Sequence, residues 1–443
     1  MLRDLERRFR AAVDPAQRID LADRLVPELV GNSDAERAAL VLEAVDTSGA
    51  SAEARARLYA LRGVVSAMLG ESHAADVEQA LSLLPALGGP AAAVVLQRAA
   101  VAALHARDAR TAEEQALASL ALCDRHGLSW LGARAAASLY GLHYHLTGDL
   151  HAARFYAELA TGLAGAASDG ALRRACLTAQ FDLACVFGDW DQAGSLRELL
   201  RRDRGPEAYT SGTPLRVGDA LMLGSRGDFN AMRGHVEAAL ATETDSVDRA
   251  LIVALHALAL AGLGLKVEGR SAARRALGLS NAHGRRRDLL HSTIRRRLAG
   301  VLGAWASVIV GDTYHGSRAL TVRGKWPGST GVLAAALCAE ARGSSVDVQN
   351  RSLTQVRGYL ILARTARQSA LALEAATPYA LTTTELDVLR GVAEGKTNSA
   401  IAGERGVSRN AVERRLMSAY AKLEVKTRGE AIAKVSSLLH SYR

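Results

Sequence analysis

Apolar and polar residues fall into blocks over residues 1–340. Stretches such as Leu139-Tyr140-Gly141-Leu142-His143-Tyr144-His145-Leu146 and Ala152-Ala153-Arg154-Phe155-Tyr156-Ala157-Glu158-Leu159-Ala160 place apolar residues three and four apart, the spacing of a one-sided helix. Between such blocks a short turn signal recurs at Gly70-Glu71, Arg107-Asp108, Gly148-Asp149, Gly188-Asp189, Gly227-Asp228, Gly264-Leu265, Gly311-Asp312 and Gly343-Ser344. Recurrence at a period of about 40 residues is the mark of a helical repeat. Glycine supplies the left-handed backbone that ends one helix, and the following Asp can cap the next. Asp149, Asp189, Asp228 and Asp312 are therefore read as caps. Five positions after each turn glycine, or its equivalent, small residues (Ala75, Ala112, Ala153, Ala193) are expected where helices approach closely. The apolar run Ala250–Leu265 is short for a bilayer span of about 20 residues and reads as a buried helix.

The turn Gly188-Asp189-Trp190-Asp191-Gln192-Ala193 is the clearest copy of a pattern that resembles tetratricopeptide-type helical hairpins. The period exceeds the ~34 residues usual for such hairpins, which leaves room for longer helices. Hairpins of this kind stack into a superhelix whose concave groove is an extended binding surface; the alternative is an irregular helical domain without a groove. Trp130, Trp190, Trp305 and Trp326 read as hairpin packing, with one of them as a candidate groove residue.

Charge refines this division. The chain of 443 residues carries 55 Lys+Arg against 46 Asp+Glu, yet residues 1–265 are net acidic. The positive excess lies entirely beyond Leu265, on the side where a polyanion would bind. Residues 266–297 alone are net +8, with Arg285-Arg286-Arg287 and Arg295-Arg296-Arg297, and the default expectation there is solvated helix faces on a protruding element. Four cysteines without CxxC spacing and a charged N-terminus point to a reducing cytoplasm, with no membrane span.

From Pro378 onward the chain carries a different pattern. Pro378 should stop the preceding helix. Leu381-Thr382-Thr383-Thr384-Glu385-Leu386 is a capping box flanked by a hydrophobic staple. One helix then presents Leu386, Leu389 and Val392 and ends at Gly395. A short one from Thr397 or Asn398 carries Ile401 and Ala402 and stops near Gly406. A third, capped by Ser408, buries Val412, Leu416, Ala419 and Leu423. A fourth after Thr427-Arg428 shows Ala431, Ile432, Val435, Leu438 and Leu439. A short helix, a tight turn and a capped third helix make a helix-turn-helix.

In one register, Leu381, Thr382, Glu385, Val388, Leu389, Gly395, Asn398, Ile401, Ala402, Ser408, Val412, Leu416, Lys422, Leu423, Val425, Arg428, Glu430 and Ala431 reproduce the pattern of the LuxR/GerE-type DNA-binding domain, and the segment resembles that family. A repeat region ahead of it resembles the layout of large ATP-binding LuxR-type regulators. The ATPase is not expected here: the nearest phosphate-loop string, Gly391 to Thr397, has Arg390 where a glycine is required. The expected fold is all-α, a tetratricopeptide-like α-solenoid over 1–377 followed by a four-helix LuxR-type helix-turn-helix domain over 378–443.

The resemblance implies that the third helix enters the major groove of double-stranded DNA, its solvent face bearing Arg409, Asn410, Glu413, Arg414 and Met417. Glu413, Arg414 and Met417 fall at the family's base-reading positions. Lys396, Thr397, Asn398, Arg415 and Lys422 would hold phosphates. Ile432 and Val435 would form a homodimer contact. Gly391 and Arg405 stand where the family carries core leucines, while Ala411, Arg415 and Met417 depart from it on the third helix. No catalytic pair, cofactor motif or metal-ligand spacing stands out, and His143 and His145 face different sides of one helix. The expectation is a transcriptional regulator that receives a peptide, protein or small-molecule signal in the repeat groove, with RNA polymerase as a candidate partner. The alternative is a repeat scaffold that keeps a degenerate helix-turn-helix for folding or dimerisation.

Overall fold

The computed structural model describes residues 2–31, 34–167, 170–208, 213–242, 246–281, 293–325, 329–344, 351–376, 379, 381, 383–405 and 407–440. Among them every regular element is helical. Helices α1 (Leu2–Ala11), α2 (Pro15–Gly31) and α3 (Ala35–Glu43) bury Phe9, Leu25, Leu29 and Leu42 against α4 (Ala52–Leu69) and close the N-terminal end. The chain continues through α5 (Ala74–Ser82), α6 (Gly89–His105), α7 (Ala109–His126), α8 (Ser129–Gly141, prolonged by a π-helical turn Leu142–Thr147) and α9 (Leu150–Ala166). The array goes on with α10 (Gly170–Phe187), α11 (Trp190–Ala208), α12 (Thr213–Ser225), α13 (Phe229–Thr242), α14 (Ser246–Gly262), α15 (Lys266–Asn281), α16 (Thr293–Ile309), α17 (Thr313–Arg323) and α18 (Ser329–Ala341). A short α19 (Arg351–Thr354) leads into the long α20 (Arg357–Ala376). Four more helices follow: α21 (Thr383–Ala393), α22 (Asn398–Arg405), α23 (Arg409–Leu423) and α24 (Arg428–His440).

The turns read from the sequence are hairpin turns of the array. Gly70, Gly148, Gly188, Gly227, Gly264, Gly311 and Gly343 all have positive φ, and Arg107 takes the same left-handed conformation at φ 63°. Asp108, Asp149, Asp189 and Asp228 accept hydrogen bonds from backbone N–H groups of the helix that follows. Asp312 does not cap; its carboxylate takes His315 and Arg274 instead. Ala112, Ala153 and Ala193 are buried at the crossings. Ala75 is exposed, because α5 starts four residues after Gly70 where α9 starts two after Gly148, so Val77 takes the crossing position against Gly63.

Even-numbered helices α4 to α18 pack on one another as an inner layer, and the odd-numbered helices cover them outside. The apolar run Ala250–Leu265 spans most of α14 and the following turn, buried between α13, α15, α16 and α20. Helix α20 lies along the inner layer, packed on α10, α12, α14 and α16. It buries Tyr359, Leu360, Leu362, Ala363 and Ala366 there, and Trp305 of α16, fully buried, donates its Nε1–H to the Ala363 carbonyl at 2.8 Å. The backbone approach is close. A Cβ on Gly358 would strike the Cys185 carbonyl, and Arg364 is ion-paired with Glu340 of α18. The groove expected to stand open for an effector is therefore filled by the chain's own helix from α10 to α16. The sequence shows α20 as one more amphipathic helix; nothing local in it says which face of the array it covers.

The arginine-rich stretch meets the expectation in part: Lys266, Arg270, Arg274 and Arg275 are exposed on α15. Arg285, Arg286 and Arg287 lie outside the described residues. Arg295 is buried, not solvated, and donates to Asp182 of α10, which also accepts from the Tyr144 hydroxyl at 2.5 Å. This ion pair joins helices three hairpins apart in the chain. A buried pair of this kind is costly to break from one side, by about 3–5 kcal/mol. Trp190 is partly buried against the core as expected, whereas Trp130 is half exposed beneath the guanidinium of Arg134, and Trp326 lies outside the described residues.

Two turn glycines separate backbone strain from helix approach. A Cβ at Gly148 meets nothing within 4 Å, so Gly148→Ala should cost only the left-handed conformation, about 1 kcal/mol. At Gly188 the same Cβ would come within 3.2 Å of the Gly358 backbone nitrogen in α20. Gly188→Ala should therefore cost more than Gly148→Ala and loosen α20, read as a larger fall in Tm together with faster amide exchange over 357–366.

Candidate nucleic-acid interface

Helices α21 to α24 enclose a small core of their own: Val388, Leu389, Val392, Ile401, Val412, Leu416, Ala419, Leu423 and Ala431. Local chemistry sets the ends of these helices. Thr397 Oγ1 accepts from Ala400 N–H at the start of α22, Ser408 Oγ from Ala411 N–H at the start of α23, and Thr427 Oγ1 from Glu430 N–H at the start of α24. Leu386 is buried and Leu381 half-buried, as the staple requires. Pro378, Thr382 and Gly406 lie outside the described residues, as do the side chains of Leu438 and Leu439.

Glu385 is buried at the start of α21, where its carboxylate accepts from Ser418 Oγ at 2.5 Å and from Lys422 Nζ at 2.8 Å. Both partners belong to α23. A carboxylate that leaves water needs such charge-assisted donors. This one fixes the long helix against the first helix of the module.

The two departures at core positions, Gly391 and Arg405, are accommodated. Gly391 sits where Ile401 crosses α21; a Cβ there would lie 2.7 Å from Ile401 Cγ1, so the isoleucine fills the space a leucine would take. Arg405 does not enter the core. Its guanidinium turns to Asp387, with Nη1 2.9 Å from Oδ2, and Arg390 approaches the other oxygen at 3.5 Å. Burial raises the Asp387 carboxyl above its ordinary pKa, while Arg405 and Arg390 oppose the shift. Arg390 also donates to Ser369 Oγ of α20 at 2.9 Å, so this cluster ties the module to the array. Lys434 of α24, over the Tyr379 ring, adds a cation–π contact within the module.

Helix α23 packs against α21, α22 and α24, and its opposite face is open. Arg409, Asn410, Arg414, Met417 and Ser418 are exposed there, Met417 at 73 %. Arg409 is paired with Glu413 one turn on, an exposed contact that is weak and easily exchanged. Arg414 and Arg415 make no hydrogen bond or ion pair among the described residues, although Arg415 is half-buried. Thr397 is exposed, and Lys396 bridges Glu394 and Glu404. Asn398 accepts from Arg428, whose other nitrogen reaches the Lys396 carbonyl, so the two residues fix the turn before α22. Lys422 is committed to Glu385. Val435 belongs to the core of the module and Ile432 is half-buried against it. The structure thus brings Arg409, Asn410, Glu413, Arg414 and Met417 onto one face and leaves Asn398, Lys422 and Val435 engaged inside the module. Ser418 stands outside the set expected from the sequence. It neighbours Met417 on the open face and bonds Glu385, a link that spans 33 residues and has no local signal.

Two substitutions test this construction. Lys422→Ala leaves a buried carboxylate one donor short and should destabilise the module by about 1–3 kcal/mol, seen as earlier loss of amide protection in α21 and α23. Gly391→Ala improves helix propensity yet should destabilise by about 1–3 kcal/mol through overpacking on Ile401. Ile401→Val in that background should restore part of the loss in chemical denaturation.

Residues 379–435 match the family of bacterial regulatory proteins of the luxR type, GerE. No curated protein matches the chain. Among solved structures, the apo form of the quorum sensor NprR from B. thuringiensis is similar, with a TM-score of 0.47 at 10 % identity over 80 % of this chain and 99 % of that one. Among the described residues no helix is long and apolar enough to cross a membrane. The C-terminal four helices are a LuxR/GerE-type helix-turn-helix domain, joined here to a helical-repeat array.

Proposed function

We propose that the chain is a transcriptional regulator that binds double-stranded DNA through α23. In this reading residues 378–443 are the DNA-binding unit and residues 1–377 receive a peptide, protein or small-molecule signal. The observation that carries it is the open outer face of a helix whose inner face is locked by Glu385 and by the module's core. Arg414 would pair with guanine O6/N7, Asn410 with adenine, Glu413 with cytosine N4, and Met417 would meet a thymine methyl. Arg409 can leave Glu413 for DNA at little cost. Thr397, Arg415 and Lys396 would hold phosphates and set the register. A homodimer would present two such helices to half-sites about 34–36 Å apart, with the half-buried Ile432 as the contact on α24. RNA polymerase would be a partner once the protein is seated on DNA.

The rival reading, a peptide-binding scaffold, loses its natural groove to α20 between α10 and α16. Genome-wide DNA capture with the full chain separates the two. Enriched sites are expected for the wild type. Arg414→Ala should cost about 1–3 kcal/mol and relax the preference at one base position. Arg415→Ala should weaken all sequences alike and reduce the slope of log K against log salt by about 0.9. A wild-type protein that enriches no site and captures no more DNA than either variant overturns the regulator reading.

A further inference from the structure

A cleft of about 750 Å³ lies between the array and the helix-turn-helix domain. Its array side is the turn between α12 and α13, with Ser225, Arg226 and Asp228, together with Gln368 and Ser369 of α20. Its other side is built from α21 and α22 and carries two charged groups of opposite balance. In one, two guanidiniums, Arg390 and Arg405, share the single carboxylate of Asp387. In the other, the single ammonium of Lys396 is shared by Glu394 and Glu404. Each guanidinium has five N–H donors, more than Asp387 and Ser369 consume. The cleft therefore offers spare donors for a carboxylate beside a spare carboxylate for an ammonium.

Two further features mark the cleft as a place for a ligand. The Ser225 hydroxyl oxygen is buried and has no hydrogen-bond partner among the described residues. Arg226 is exposed and makes no ion pair among them. The volume lies within the range of about 300–1,000 Å³ usual for small-molecule sites. The concave groove, by contrast, is taken by α20 from α10 to α16.

We propose that this cleft is the effector site and that it takes a zwitterion, a free amino acid or a short peptide, with its carboxylate between Arg226 of the array and Arg390 and Arg405 of the module, and its ammonium on Glu394 and Glu404. The proposal deepens the regulator reading and rests on it for its consequence: a ligand that touches both walls binds only the docked arrangement of domain and array. It then shifts the population toward that arrangement by its differential affinity, and DNA binding changes reciprocally.

The test is thermal unfolding of the full chain with each standard free amino acid, with trialanine and with inorganic phosphate, in the absence of DNA. At a hundredfold excess over Kd, a bound zwitterion should raise Tm by about 3 °C if the chain unfolds cooperatively. Gln368 is exposed on α20, so Gln368→Trp should fill the cleft, leave the unliganded Tm unchanged and abolish the shift. Arg226→Glu, at an exposed position, gives a second variant should the first unfold; it should weaken binding at least tenfold. The amino-acid and trialanine arms tell the two sources apart. No shift from any zwitterion, a shift that survives both variants, or an equal shift from phosphate alone overturns the proposal. Because the readout contains no DNA, a positive shift with failed DNA capture sinks the regulator reading and leaves the site standing. The reverse result does the opposite.

Discussion

Helix α20 in the groove of the array holds the rest of the molecule in relation to itself. A stack of hairpins has contacts only between neighbours, and its inner layer would otherwise expose the apolar faces of α10, α12, α14 and α16 to water. Laying a 20-residue helix along them closes that surface, and Trp305, Gly358 and the Arg364–Glu340 pair show how closely it fits. The same helix ends at the helix-turn-helix domain, where Ser369 receives Arg390. One packing event thus buries the groove and sets where the last four helices sit.

Polar groups carry the specificity that apolar packing lacks. Asp182 gathers Tyr144 and Arg295 from separate turns of the superhelix, Glu385 gathers Ser418 and Lys422, and Asp387 gathers Arg390 and Arg405. Each is a carboxylate largely withdrawn from water and supplied with at least one donor from another segment. Such a group is expensive in any arrangement that lacks its partners, so it selects one register among many that would bury similar area. This accounts for Arg405, a charge at a position where the family pattern asks for leucine: it works at the seam with the array, not in the core of the module.

Net charge divides along the same lines. The basic excess beyond Leu265 is a real asymmetry, yet Arg295, Arg390, Arg405 and Lys422 spend their charge on internal carboxylates. What remains on the open face of α23 is Arg414 with the exchangeable Arg409, flanked by Asn410 and Met417.

Local rules written in the sequence settled the helices, the hairpin turns, the caps at Asp149, Asp189 and Asp228, and the four-helix module with its solvent-facing stripe. These features depend on residues within a turn or two of each other: left-handed backbone at glycine, short polar side chains at helix starts, apolar positions three and four apart. Even the failure at Ala75 is local, a turn slightly longer than its counterparts. The tertiary structure alone decided that α20 plugs the groove, that Arg295 is buried, that Lys422 and Val435 face inward, and that a charged cleft opens between array and module. Each of those outcomes joins residues far apart in the chain, where periodicity tells which side of a helix is apolar but carries no information about which surface will cover it.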